Sequence, residues 1–244
     1  MQSRKNDKKS VRIVVAVIAG VCALAAVAGL LVYFLSDRPH RVDWNDTADR
    51  FTDEETGVEY VMCNPLAIKP IAIETDGDGY LAYATDRDMT YYQIRFQEPT
   101  QFICDFDGES GSSYVYRNSS LPEITLANFE PISAALYNGS VLSLWLYADD
   151  KYLPAEMQGQ NPTQDTALVQ KIADALVHGE GVEIRDEDIS DNVLYHFRLF
   201  SQVYPGLYYD VALFEAADGK RYIEDMATFK KVLCPDEVEV RVFG

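Results

Sequence analysis

The stretch Ser133–Tyr147, SAALYNGSVLSLWLY, has the pattern of a β-hairpin. Asn138-Gly139 stands between two apolar runs, and both residue types readily adopt the positive φ angles that a two-residue hairpin turn requires. The flanking runs contain Leu, Val, Tyr and Trp, which pack well on a pleated surface. The stretch therefore predicts two antiparallel strands and sets the kind of structure expected for the rest of the chain.

Similar strand patterns continue on both sides of this hairpin. An Asp-Gly turn at residues 75–79 separates two apolar runs, and Ala217–Lys220 forms another turn of this kind. In each run the apolar residues alternate with polar ones, which indicates strands with one face buried. The other predicted strands cover residues 57–63, 90–96, 101–106, 113–117, 193–200, 207–215 and 221–224.

One soluble helix is predicted over Gln164–His178. Leu168, Ile172 and Leu176 lie on one helical face, which Val169 and Ala175 widen into an apolar stripe. Two glycines, at positions 179 and 181, follow the last helical residue and end the helix. An apolar stripe of this width predicts a helix that packs on a sheet.

The C-terminal segment Glu237–Phe243, EVEVRVF, alternates strictly and predicts a strand with Val238, Val240 and Val242 facing inward. With the preceding elements, this gives an α+β fold class. We expect residues 57–244 to form a domain of mainly antiparallel sheet with one packed amphipathic helix. The break in pattern near residues 150–164 also allows a division of this domain.

The N-terminal part contains the longest apolar run, Ile13–Leu35, with 23 residues and no charge. About 18 such residues are enough to suggest a transmembrane helix. Residues 1–12 form a basic tail, so the positive-inside rule predicts a cytoplasmic N-terminus and an extracellular C-terminal domain in a single-pass membrane protein. A cleaved signal peptide ending near Ala23–Ala25 is the alternative. The Ala16/Gly20 spacing would also permit a dimer through the span.

Charge is distributed unevenly along the chain. Residues 1–40 carry a net charge of +4, whereas the remainder carries −22. Because affinity for nucleic acid comes mainly from Lys and Arg on phosphates, this balance argues against a nucleic-acid partner and is compatible with cations or basic protein surfaces. The polar segment 36–56 lacks periodicity and is predicted to be a stalk.

No nucleophilic site is predicted from the Ser, Cys and His residues. Gly108–Ser112 is close to the G-x-S-x-G pattern, but its fifth residue is Ser and no strand-to-helix turn follows. Cys63, Cys104 and Cys234 lie outside the apolar run and do not form a metal-binding pattern. Cys104 is expected in a buried strand, and Cys63 is the first candidate for any single disulfide.

Alternating carboxylates make Glu74, Asp76 and Asp78 candidate calcium ligands, because they resemble the first half of a calcium-binding loop. The twelfth position of such a loop requires a bidentate Glu, and here it is Thr85. The flanking segments also resemble strands and not helices. An acidic hairpin turn therefore accounts for the same pattern.

Tyrosines suggest a binding surface, since tyrosines on strands can anchor protein partners. The candidates are Tyr91, Tyr114, Tyr116 and Tyr208. We expect a non-catalytic protein that binds a protein or envelope component and needs no cofactor. Two alternatives remain: a membrane-anchored envelope hydrolase using paired carboxylates, which would lie about 5–10 Å apart, and a calcium-dependent module.

Overall fold

The computed structural model describes most of the chain after residue 38. The described residues are 27, 39–45, 50–77, 79–86, 89–106, 113–138, 141–146, 166–185 and 189–244. Residues His40–Gly244 form one compact unit, and all the elements below belong to it.

The first half of this unit is a closed barrel of seven strands. Six neighbouring pairs are antiparallel, whereas the first strand closes the barrel by pairing in parallel with the strand that contains Ala84 and Thr85. Around the barrel the order is β1 (His40–Asn45), β2 (Arg50–Asp53), β3 (Glu59–Met62), β8 (Val115–Asn118), β7 (Phe102–Asp105), β6 (Thr90–Gln93) and β5 (Ala82–Thr85).

The second half is an open seven-stranded sheet. Its order is β10 (Val141–Leu146), β9 (Pro131–Asn138), β11 (Ile189–Ser201), β12 (Leu207–Ala216), β13 (Arg221–Asp225) and β14 (Lys231–Leu233), and β4 (Ile68–Pro70) also pairs with β12. The described part of this unit also contains three helices: α1 (Leu126–Phe129), α2 (Thr166–His178) and α3 (Asp236–Phe243). The β9–β10 hairpin confirms the prediction from Ser133–Tyr147.

The α+β fold class predicted from the sequence is wrong, because the described chain is mostly β with few and short helices. The segment 36–56, predicted as a polar stalk, contributes β1 and β2 to the barrel. Apart from β4, the described strands before β9 belong to the barrel, so the main change to the second sheet comes between β8 and β9. This point lies ahead of residues 150–164, which are outside the described residues. The parallel pairing of β1 with β5 closes the barrel. This pairing joins strands far apart in the sequence, so the local pattern of residues 36–56 does not reveal it.

The predicted membrane span also requires correction. Among the residues that the structure describes, none belongs to a helix long and apolar enough to cross a membrane. This finding does not support a span over residues 13–35, of which only Val27 is described, or the single-pass localisation derived from it. The Ala16/Gly20 contact suggested for a dimer lies outside the described residues.

Helix α2 confirms the predicted apolar stripe, with Leu168, Val169, Ile172 and Leu176 buried. The amide of Gly179 donates to the carbonyl of Ala175 where the helix ends. The N-terminal residues predicted for it, 164 and 165, lie outside the described residues.

Helix α3 replaces the strand predicted for Glu237–Phe243. Its first turn contains Asp236, Glu237 and Glu239, and negative side chains stabilise the positive end of a helix dipole. Val238 is buried, whereas Val240 is 70% exposed, so the alternating valines do not share one buried face. Pro235 precedes the helix at a position where its missing N–H costs nothing.

Strand β7 separates two hydrophobic cores, and all four of its residues are buried. Ile103 points into the barrel, where it joins the rings of Phe51, Tyr60 and Tyr91. Phe102 and Cys104 point the other way, into the main core that the second sheet and α2 share. One strand therefore forms the wall between the barrel interior and the rest of the protein.

Two hairpin turns, one in each sheet, have the same hydrogen bonds around a buried aspartate. In the β2–β3 turn, Asp53 accepts bonds from the Thr56 hydroxyl (2.7 Å) and the Tyr83 hydroxyl (2.7 Å). In the β13–β14 turn, Asp225 accepts bonds from the Thr228 hydroxyl (2.7 Å) and the Tyr209 hydroxyl (2.6 Å). Each carboxylate also accepts the backbone N–H two residues later.

These bonds hold an ionised carboxylate in the fold. Burial alone would raise the pKa of Asp53, but hydrogen bonds from His40, Thr56, Tyr83 and the Glu55 backbone outweigh it and lower the pKa from 3.8 to about 2. The Nδ1 atom of His40 lies 2.9 Å from the carboxylate. Because the folded pKa is depressed, the ionised form stabilises the native state above the unfolded pKa.

Replacing Asp53 should make the free energy of unfolding less dependent on pH under acidic conditions. As pH falls from about 5 to about 1, the natural protein should lose about 2–3 kcal/mol of unfolding free energy from this group. Asp53→Asn should be less stable at pH 7 and lose less between these pH values, as measured by urea unfolding. Asp43→Asn, at an exposed position of β1, serves as the control. An unchanged slope in Asp53→Asn would contradict this account.

The twin turns differ at the residue that adopts a left-handed backbone. Gly57 has φ of 70° in the first turn, and Phe229 has φ of 58° in the second. A left-handed conformation is disfavoured for a bulky residue, and the Phe229 side chain is 55% exposed and therefore recovers little energy from burial. The second turn is therefore strained at a place where its twin is relaxed.

Phe229→Gly should raise the free energy of unfolding by about 0.5–1 kcal/mol, since glycine adopts this φ without steric cost. Gly57→Ala is the reciprocal variant and should lower it by about 1 kcal/mol. A Cβ at position 57 would meet no atom within 4 Å, so the loss would come from backbone conformation alone. Urea unfolding of both variants measures the two effects, and destabilisation by Phe229→Gly would show that the ring contributes more than the strain costs.

Candidate functional site

A group of interacting charged and aromatic side chains lies on the face of the second sheet turned away from α2. Strand alternation sends Phe197 and Leu199 into the core and places His196 and Arg198 on the opposite face. The strand registers bring Tyr137 beside His196, Asp210 beside Arg198 and Lys69 beside Tyr208. We name this the Arg198 face, formed by Lys69, Tyr137, His196, Arg198, Tyr208 and Asp210.

Arg198 is held between two tyrosine rings. Its guanidinium carbon lies 3.9 Å from the ring centroid of Tyr137 and 4.9 Å from that of Tyr208. These distances are typical of cation–π contacts. Within the described residues the guanidinium has no hydrogen-bond or ion-pair acceptor, so its stacked faces are occupied while its N–H edges have no partner there.

The carboxylate next to Arg198, that of Asp210, forms a hydrogen bond with His196. Asp210 is the direct cross-strand partner of Arg198, yet its Oδ1 lies 3.0 Å from Nδ1 of His196. This hydrogen bond, opposed by burial, raises the pKa of His196. The bond fixes the imidazole, and among the described contacts Asp210 forms no ion pair with Arg198.

Lys69 adds a second cation to the face. Its Nζ donates to the Ser113 carbonyl at 3.4 Å and lies 5.5 Å from the ring centroid of Tyr114. Burial lowers the pKa of Lys69, and the charges of Asp210 and Asp105 oppose this effect. Burial also raises the pKa of Tyr208 to about 12, although the Arg198 charge opposes it. Tyr208 therefore keeps its proton at neutral pH and can donate a hydrogen bond.

Two of the four tyrosines predicted as a binding surface belong to this region. Tyr208 stacks on Arg198, and Tyr114 is 38% exposed beside Lys69. Tyr91 and Tyr116 are buried inside the barrel, where the Tyr116 hydroxyl donates to Asp105 at 2.9 Å. The latter two tyrosines are therefore out of reach of a partner.

Arg198, His196 and Asp210 were not predicted together as a binding site. A signal is present in the sequence, because His196 and Arg198 alternate with core residues and so share the outer face of one strand. Their neighbours come from three other strands, and only the registers of β4, β9 and β12 bring them together.

The predicted calcium ligands lie in a turn whose backbone is already hydrogen-bonded. The amide of Gly79 donates to Oδ1 of Asp76 at 3.2 Å, and the amide of Thr75 contacts the Glu74 carboxylate at 3.4 Å. Asp78 lies outside the described residues. No group of three His, Cys, Asp or Glu residues suited to a metal occurs among those that are described. The calcium loop stays a prediction.

The three described cysteines are free and buried, so the structure contradicts a disulfide involving Cys63. Burial raises the pKa values of Cys63, Cys104 and Cys234 to about 12. Because the thiolate is the reactive form, these side chains are poor nucleophiles at neutral pH.

The described carboxylates also give little support to a glycoside hydrolase, which requires a general acid with a raised pKa. Hydrogen bonds lower the pKa values of Asp218 and Glu237, beginning with those from the Lys220 backbone and the Lys171 side chain. The pKa of Asp53 is lowered as well. His40 and His196 each bond an aspartate, but among the described contacts neither is joined to a Ser or Cys nucleophile. The near-match at 108–112 lies outside the described residues.

No family model, curated protein or solved structure matches this chain. Function is therefore inferred from the geometry of the Arg198 face.

Replacing Asp210 should lower the pKa of His196. The hydrogen bond stabilises the imidazolium, so its contribution to stability is complete below the unfolded pKa and is lost as pH rises through the higher folded pKa. In Asp210→Asn the histidine should titrate at a lower pH, which NMR of the imidazole C–H signals would measure. His178 provides an internal reference, and an unmoved His196 titration would contradict the assigned interaction.

Proposed function

We propose that this protein is a non-catalytic binding protein that recognises a carboxylate-bearing segment of another protein through the Arg198 face. The observation that carries the proposal is the guanidinium of Arg198, stacked between Tyr137 and Tyr208 with no acceptor for its N–H edges among the described residues.

The stacking prepares Arg198 for this role. A guanidinium is planar and presents donors in a fork that matches the two oxygens of a carboxylate. Two flanking rings restrict its rotation, so less conformational entropy is lost on binding. The Tyr208 hydroxyl, which keeps its proton at neutral pH, is a further donor of the Arg198 face. Tyr and Arg are also the residue types most enriched at the energetic centres of protein interfaces.

The charge of the face supports an anionic ligand. The chain carries −18 overall, so a face with Lys69, His196 and Arg198 beside one carboxylate of its own, Asp210, is a local exception, although the charge of Asp105 also acts on Lys69. At long range the protein repels anions, and at short range this face attracts them. Such an arrangement favours a segment with one or two carboxylates over a polyanion such as nucleic acid, which needs many basic contacts.

Arg198→Gln should weaken binding of acidic peptides by about ten- to a hundredfold, because a charge-assisted hydrogen bond contributes about 1.5–3 kcal/mol. The measurement uses the full chain on an array of peptides in which Asp and Glu are placed beside aromatic residues, each with an Asn or Gln counterpart. Arg198→Lys should retain part of the affinity, since it keeps the charge but loses the fork.

Arg50→Gln is the matched control, because it removes one arginine from an exposed ion pair with Glu59 in the barrel. Its peptide binding should equal that of the natural chain. Retention of the Asn and Gln peptides as strongly as their acidic counterparts would contradict the proposal, and so would equal losses in Arg50→Gln and Arg198→Gln. Phosphorylated peptides in the same array test whether a phosphate is preferred over a carboxylate.

A further inference from the structure

A separate cavity of about 540 Å³ opens on the other side of the second sheet. It lies between α1, α2, the first residues of β9 and the turn at residues 202–203. Ile132 lines the cavity and has the same strand parity as Ala134 and Leu136, which pack into the main core with α2. The cavity is therefore on the helix side, whereas the Arg198 face is on the opposite side. Its size falls within the range of about 300–1,000 Å³ for ligand sites.

The interior walls of this cavity are apolar. Leu126 from α1 and Ala173 from α2 are buried, Val177 packs partly against the core, and Ile132 contributes from β9. Gln170 lines the same side, but its amide is occupied, since Nε2 donates to the Pro131 carbonyl at 2.7 Å. An aliphatic chain can therefore lie along these walls without leaving a buried polar group unsatisfied.

The rim of the cavity is negative. Glu130 and Asp174 line it from two different elements, and neither takes part in an ion pair within the described residues. The C-terminal end of α2 is also here, where the helix dipole favours positive charge. Lys230 donates to the Val177 carbonyl at 3.3 Å at this end of the helix, and it forms no ion pair with Glu130 or Asp174 among the described residues. His178 is the remaining ionisable group in the lining.

We infer that this cavity binds a primary ammonium group on an aliphatic stem, as in a lysine side chain presented by a partner protein. The methylene groups would lie against Leu126, Ala173 and Val177. The ammonium would donate to Glu130 and Asp174 at the rim. A purely apolar ligand would make no contact with the two carboxylates, and a metal ion would make none with the apolar walls. A ligand with an aliphatic stem and an ammonium group contacts both.

This inference goes beyond the proposed function and does not depend on it. The Arg198 face recognises an anion, whereas the cavity recognises a cation, and the two lie on opposite sides of one sheet. The matched variants below change one site and leave the other intact.

The test is an NMR titration of the isotopically labelled full chain with n-pentylammonium, which reproduces a lysine side chain without its backbone. The amide signals of Ala173 and Val177 should shift. 1-Pentanol, its uncharged counterpart, should bind at least tenfold more weakly. Glu130→Gln and Asp174→Asn should each weaken pentylammonium binding at least threefold, and the double variant should weaken it further. Thermal unfolding verifies that each variant folds.

Glu180→Gln is the matched control, because it removes one negative charge just beyond α2 from a residue outside the cavity lining. It should leave the affinity unchanged, as should Arg198→Gln. Equal affinity for pentanol and pentylammonium would overturn the inference and identify a merely apolar cavity. Equal losses in Glu180→Gln and Asp174→Asn would also overturn it, because they would indicate a general charge effect. If n-butylguanidinium bound more tightly than pentylammonium, the inference of a lysine ligand would be overturned in favour of an arginine side chain.

Discussion

The hydrogen bond from a tyrosine hydroxyl to a buried aspartate in a hairpin turn is the constraint on which both sheets depend. Tyr83 bonds Asp53 at the end of β2, and Tyr209 bonds Asp225 at the end of β13. A buried carboxylate without such partners would be costly, so each turn requires a tyrosine from a different strand to be in place. The bond therefore ties local turn geometry to long-range strand pairing.

The buried aspartates of the two turns and Arg198 differ in the partners that their charged groups have. Asp53 and Asp225 accept hydrogen bonds from hydroxyl and backbone donors in their own turns and from one tyrosine of another strand each. On the Arg198 face, by contrast, the arginine is stacked on rings, and its N–H groups have no acceptor among the residues that the structure describes. Among the described residues, the buried acids and Arg198 thus have separate partners: hydroxyls and backbone N–H groups for the acids, and aromatic rings for the arginine.

Local sequence patterns were sufficient for most strands, for the β9–β10 hairpin and for helix α2. They failed where distant pairing decides the outcome. The polar segment around His40 lacks a clear alternation, yet its parallel pairing with β5 closes the barrel. The valines of α3 alternate as in a strand, but the acidic first turn and the buried Val238 favour a helix. The sequence places Arg198 on the polar face of a predicted strand. Its stacking on Tyr137 and Tyr208 depends on the registers of three strands, which the sequence pattern does not give.

Strand β7 has a consequence for how this protein can change over evolutionary time. In an ordinary surface strand every second position tolerates many residue types, because its side chain faces solvent. Phe102 to Asp105 have no such position, since one side of the strand fills the barrel and the other fills the main core. Drift in the barrel core therefore acts on Ile103 and drift in the main core acts on Phe102 and Cys104, so that changes in the two cores meet in three consecutive residues of one strand.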